Sequence, residues 1–79
     1  MMKRSNIRER FAHNLRHLRL ARGLTQDAMA NLADVDRTYV SSMENCGNAA
    51  SLDMIAKLAA VLGVDPIALL ERKPPPPRK

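Results

Sequence analysis

The 79-residue chain is nearly without aromatic side chains: Phe11 and Tyr39 stand alone, and there is no tryptophan. Single-strand binders and the common RNA modules stack bases on several rings, which this chain cannot supply. A single cysteine, Cys46, excludes an internal disulfide, so a reducing compartment, the cytoplasm, is expected. No apolar run approaches the roughly 20 residues that a membrane-spanning helix needs. The start, Met1-Met2-Lys3-Arg4-Ser5-Asn6, leads into Ile7-Arg8-Glu9-Arg10 and not into an apolar block, so no ordinary secretion signal is expected. One domain fits in this length. It buries only about 60% of its unfolded surface, and a second copy is a common way to cover the rest.

What the chain does have is positive charge. Thirteen Lys and Arg against eight Asp and Glu leave a formal charge of +5. Eight of the thirteen lie at or before Arg37: Lys3, Arg4, Arg8, Arg10, Arg16, Arg19, Arg22 and Arg37 itself. That balance suits a polyanion, either nucleic acid or an acidic membrane surface. With base-stacking modules excluded, duplex DNA is the favoured nucleic acid.

The punctuation predicts an all-α domain of five short helices over residues 1–72, followed by a Pro-rich basic tail over 73–79. Asn6 with Glu9 is a capping-box pattern opening the first helix, which carries Ile7, Phe11, Leu15 and Leu18 at helical spacing before Gly23 stops it. Thr25 caps a second helix to about Ala33, with Ala28, Met29, Leu32 and Ala33 apolar. After the tight break Asp34-Val35-Asp36, Asp36 is a good N-cap for a third helix with Val40 and Met43 as its apolar seam. Asn45-Cys46-Gly47-Asn48 makes a turn. Ser51 caps a fourth helix holding Leu52, Ile55, Leu58, Ala59 and Leu62, and Gly63 closes it. Asp65-Pro66 opens a fifth, with Ile67, Leu69 and Leu70, ending near Arg72. The tail Lys73-Pro74-Pro75-Pro76-Pro77-Arg78-Lys79 is expected to be extended polyproline II. No segment alternates with the period of a strand.

Two short helices separated by a three-residue turn have the geometry of a helix-turn-helix, in which the first helix braces the second against the core. In the third helix Val40 and Met43 share one side, while Arg37, Thr38, Ser41 and Ser42 fall on the other. These are side chains that read DNA: arginine chelates a guanine edge, threonine offers a methyl to thymine, and small serines let a helix sit deep in the groove. Taken alone, the same pattern also describes an ordinary solvated face.

From Leu15 to Leu70 the sequence resembles the Cro/repressor (Xre-type) helix-turn-helix family. The matching stretches are Leu15-Arg16 with Leu18-Arg19, Gly23-Leu24-Thr25-Gln26, Met29-Ala30, Val35 through Ser41, Glu44, and Ser51-Leu52 through Leu58-Ala59 to Leu62-Gly63-Val64. Asp36-Arg37-Thr38-Tyr39 is also similar to the small controller proteins of restriction-modification systems. The resemblance implies that Arg37, Thr38 and Ser42 read bases, and that Tyr39 either reaches a base edge or phosphate or packs over the turn. It implies that Gln26 contacts phosphate and that Arg19 and Glu44 form a structural ion pair; Ser41, Asn45 and Asn48 are further candidate phosphate contacts by their own side-chain chemistry. A homodimer on a near-palindromic operator is expected, joined through Val64, Ile67 and Leu70, although those residues could instead close the monomer core.

Two departures stand out. Asp34 occupies the turn where relatives often have glycine, a position that aspartate tolerates better than most residues. The run Asn45-Cys46-Gly47-Asn48-Ala49 lacks the positive charge that relatives carry after this glutamate, and Lys3, Arg4 or the tail could compensate.

Other signals lead elsewhere only weakly. His13 and His17 are spaced for a metal but lack further ligands, so a helical-surface pair is expected and no metal or other cofactor. No serine has an evident general base, and an enzyme is not expected. The basic amphipathic first helix could lie on a membrane, but Glu9 interrupts its polar face. The tail could be an SH3-like ligand. The competing function is an antitoxin-like or bridging module whose main ligand is a protein.

Overall fold

The computed structural model describes residues 7–72, and within them the chain is all-helical. Four α-helices, α1 (Ile7–Ala21), α2 (Gln26–Ala33), α3 (Arg37–Glu44) and α4 (Leu52–Leu62), are followed by a 3₁₀ segment, Pro66–Leu69. Among the described residues no helix is long and apolar enough to cross a membrane. Asn6, the expected cap of α1, and the tail from Lys73 lie outside the described residues.

The helix starts follow from local chemistry. Thr25 has extended backbone, and its hydroxyl accepts the Ala28 N–H at 3.0 Å; Ser51 does the same for Met54 at 3.0 Å. Asp36 holds the N-cap position of α3 with extended backbone, but its carboxylate makes no cap hydrogen bond.

The helix ends share one device. The Leu24 N–H donates to the Arg19 carbonyl, Val35 to Ala30, Gly47 to Ser42 and Val64 to Ala59, at 3.1, 2.9, 2.7 and 3.0 Å. Each bond spans five residues, and each closes over one left-handed residue: Gly23 (φ 72°), Asp34 (φ 59°), Cys46 (φ 62°) and Gly63 (φ 70°). This is the Schellman arrangement, which satisfies carbonyls that a helix end would leave open. In three of the four the next residue, Leu24, Val35 or Val64, packs against the core.

Leu15, Met29, Val40, Met43, Leu58, Leu62 and Leu69 are fully buried and form the centre, where α1, α2, α3, α4 and the 3₁₀ segment meet. Four residues assigned to apolar positions are exposed instead: Ile7, Leu32, Leu52 and Ile67. Leu32 lies off the stripe set by Met29, Ala30 and Ala33, and Leu52 opens α4 before its buried face begins.

The fifth helix expected from Asp65-Pro66 is a correction. Asp65 does cap, accepting from the Ile67 N–H at 2.9 Å. The bonds that follow, Ala68 to Asp65 and Leu70 to Ile67, both at 2.8 Å, are of 3₁₀ type, and the element ends at Leu69 rather than near Arg72. So short a segment cannot sustain an α-helix alone. Side chains of α1 take the carbonyls instead. Asn14, wholly buried, donates Nδ2 to the Glu71 carbonyl at 2.7 Å, and Arg10 donates to Leu70 at 3.5 Å. Asn14 Oδ1 has no partner among the described residues.

Asp34 and Cys46 hold positive φ without being glycine, a strain of about 1 kcal/mol each that glycine relieves, less its own larger unfolded-state entropy. Asp34→Gly and Cys46→Gly should therefore each raise the thermal midpoint, by about 4–8 °C for every kcal/mol gained. Gly63→Ala should lower it. Circular-dichroism melts check all three, and a lower midpoint for both glycine variants would contradict the strain assignment.

Candidate nucleic-acid interface

Three helices and one loop meet at the carboxylate of Glu44. Arg19, in the last turn of α1, donates Nε to Glu44 Oε2 at 2.7 Å and Nη2 to Oε1 at 3.0 Å. Its Nη1 donates to the Leu24 carbonyl at 2.8 Å, in the loop leading to α2. Gln26, the first residue of α2, donates Nε2 to Glu44 Oε1 at 3.0 Å. The two charged side chains are 8% and 2% exposed, so the pair is desolvated, forked and hydrogen-bonded on both sides. It fixes the end of α3 against the start of α2.

The opposite end of α3 is open. Arg37 and Thr38 are exposed, whereas Val40 and Met43 are fully buried beneath them. Ser41 is half-buried, and Tyr39 is half-buried with its side chain packed against the core. Arg37 Nε lies 3.6 Å from Asp27 Oδ1, with both side chains largely in solvent. An open cleft of about 390 Å³ runs here, lined by Arg19, Thr25, Gln26, Asp27 and Arg37.

The structure brings Ser42 and Asn48 together as a clasp: Asn48 Nδ2 donates to Ser42 Oγ at 3.0 Å. Gly47 makes the clasp possible, because a Cβ there would stand 2.6 Å from Ser42 Oγ. Asn45 follows α3 and is exposed. Val64, Ile67 and Leu70 lie apart from this face: Val64 and Leu70 are half-buried against the core, and Ile67 is 59% exposed. His13 and His17 stack on α1 with ring centroids 6.2 Å apart. At this site sequence reasoning missed three side-chain contacts, Asp27 with Arg37, Gln26 with Glu44 and Asn48 with Ser42. The first carried a faint signal, an acid in the first turn of α2.

A three-residue turn, a second helix braced by the first and an exposed N-terminal turn bearing arginine and threonine make a DNA-reading element. A helix-turn-helix domain family matches residues 10–72. This chain belongs to the Cro/repressor-type helix-turn-helix family of DNA-binding transcription regulators. It is similar to the control protein C.BamHI of Bacillus amyloliquefaciens, 38% identical over 68 residues that cover 85% of this chain and 84% of that protein. The crystal structure of the restriction-modification controller protein C.AhdI from Aeromonas hydrophila is 40% identical. It superposes with a TM-score of 0.76 over 78% of this chain and 94% of that one. A hypothetical transcription factor, NHTF, from Neisseria is 34% identical, with a TM-score of 0.81 over 95% of this chain and 90% of that one. In the family frame, α2, the turn Asp34–Asp36 and α3 are the helix-turn-helix.

Because the Arg19–Glu44 pair is desolvated, removing one partner strands the other. Glu44→Leu and Arg19→Leu should each lower stability by about 3–5 kcal/mol, and the double variant by clearly less than the sum. Urea unfolding of the four proteins checks this, and strict additivity would show that the pair is not coupled.

Proposed function

We propose that the chain is the controller of a restriction-modification system, binding a near-palindromic operator in duplex DNA as a homodimer. The observation that carries this reading is the open N-terminal turn of α3, with Arg37 and Thr38 exposed over the buried Val40 and Met43. The names of the relatives C.BamHI and C.AhdI support the controller assignment. In this reading α3 enters the major groove, where Arg37 chelates a guanine edge, Thr38 meets a thymine methyl, and Ser42 and Tyr39 reach neighbouring edges or phosphate.

Phosphate is met by Gln26 and the N-terminus of α2, and on the far side by Ser41, Asn45 and Asn48. Gln26 gives one amide hydrogen to Glu44, and the second is available to a phosphate oxygen. Helix N-termini favour the same anion. The protein works in the cytoplasm, where its operator is. In this reading operator occupancy follows protein concentration and partners.

The dimer forms through the 3₁₀ segment and its approach, with Ile67 as the exposed anchor beside Val64 and Leu70. Ile67→Asp should shift the protein to monomer in sedimentation and weaken operator binding. A dimer that survives the change would move the interface elsewhere.

Selection of bound duplexes from a random pool should yield a sequence with two related halves. Arg37→Ala should then relax preference at one base pair per half-site by about 5- to 150-fold, equivalent to about 1–3 kcal/mol. Gln26→Ala should weaken all duplexes nearly alike. Equal loss on selected and scrambled DNA after Arg37→Ala would overturn its base-reading role. No enrichment from the pool at moderate salt would overturn sequence-specific binding.

A further inference from the structure

We propose that Asp27 is a specificity-determining residue that acts through Arg37, withholding that arginine from phosphates so that only a base edge can engage it. This rests on the base-reading role given to Arg37 above. Asp27 is the second residue of α2 and Arg37 the first of α3, so the helix-turn-helix itself sets them across one cleft. Within that cleft the charge of Arg19 is committed to Glu44 at 2.7 Å, which leaves Asp27 and Arg37 as each other's counter-charges.

The nearest approach, 3.6 Å, is at Arg37 Nε, so the carboxylate sits on one edge of the guanidinium. This distance is beyond a hydrogen bond and marks a Coulombic pairing. An exposed pair of this kind adds little to stability, and its effect on the fold is small. Its effect on recognition is larger. A phosphate competes with Asp27 for the same charge and offers the arginine little that it lacks. A guanine edge presents two neutral acceptors to the guanidinium fork, and the carboxylate stays in place while they are bonded.

Asp27 also stands beside the start of α2, where a phosphate is met in the proposed complex. Its negative charge weighs on a duplex whose phosphates must compete for Arg37, and much less on one that offers Arg37 a base edge. Discrimination by an unfavourable charge of this sort works against wrong partners more than for the right one. In the partly desolvated protein–DNA interface the same charges interact more strongly than in water.

The test uses the full chain and two duplexes, the one selected from the random pool and a scrambled one, in titrations over a range of salt. Asp27→Ala should tighten binding to scrambled DNA by about three- to tenfold at low salt, and should steepen its log–log salt slope by about one phosphate contact. Binding to the selected duplex should change by less than about twofold, so the ratio falls. Asp27→Glu, which keeps the carboxylate, should restore most of the ratio, and the thermal midpoint should barely move in either variant. In the Arg37→Ala background, Asp27→Ala should leave the ratio unchanged. An unchanged ratio in the native background overturns the proposal, and makes Asp27 a general repellent if both duplexes tighten alike; an equal fall in the Arg37→Ala background overturns it too, because Asp27 would then act without Arg37. If Arg37→Ala alone leaves the ratio intact, the base-reading role itself fails, and that result is distinct from a failure confined to Asp27.

Discussion

The buried carboxylate of Glu44 is the constraint on which the reading element depends. It takes three donors from two other helices, and its arginine partner in turn holds the loop between them. Removing such a charge from water is costly, and an apolar replacement of equal volume often does as well for stability. What the ionic junction supplies is direction. Fork geometry allows one orientation of arginine against carboxylate, so the end of α3 is set in angle as well as position. A domain with so thin a core has few apolar contacts with which to do the same.

The four helix ends show where sequence reading works and where it fails. Gly23 and Gly63 announce the left-handed residues that they become, and Asp34 could be read as a tolerated substitute. Cys46 could not. The glycine in that turn is Gly47, one position later, and it serves a different need: room for Ser42 Oγ. Any local rule would have exchanged the two roles. The 3₁₀ segment was misread for a related reason. Asp65-Pro66 specifies how a helix begins, but whether it continues depends on chain length and on Asn14 and Arg10 taking carbonyls about sixty residues away.

At the candidate site, residue types were legible and pairings only partly so. Arg19 with Glu44 came from family resemblance, since nothing in the spacing of residues 25 apart demands their contact. Gln26 was assigned to phosphate alone, yet it also braces Glu44. Ser42 and Asn48 were assigned to base and phosphate separately, yet they hold one another. These contacts cross helices whose relative rotation only the packed core determines.

The shared helix ending has a consequence in time. Each closing bond joins residues five apart, and most close approaches in the domain are between parts of the chain near in sequence. Helical domains built this way commonly fold in microseconds to milliseconds, far faster than a ribosome adds a residue. The amount of folded protein then tracks its synthesis without lag. Folding then adds no delay between synthesis of the chain and its native domain.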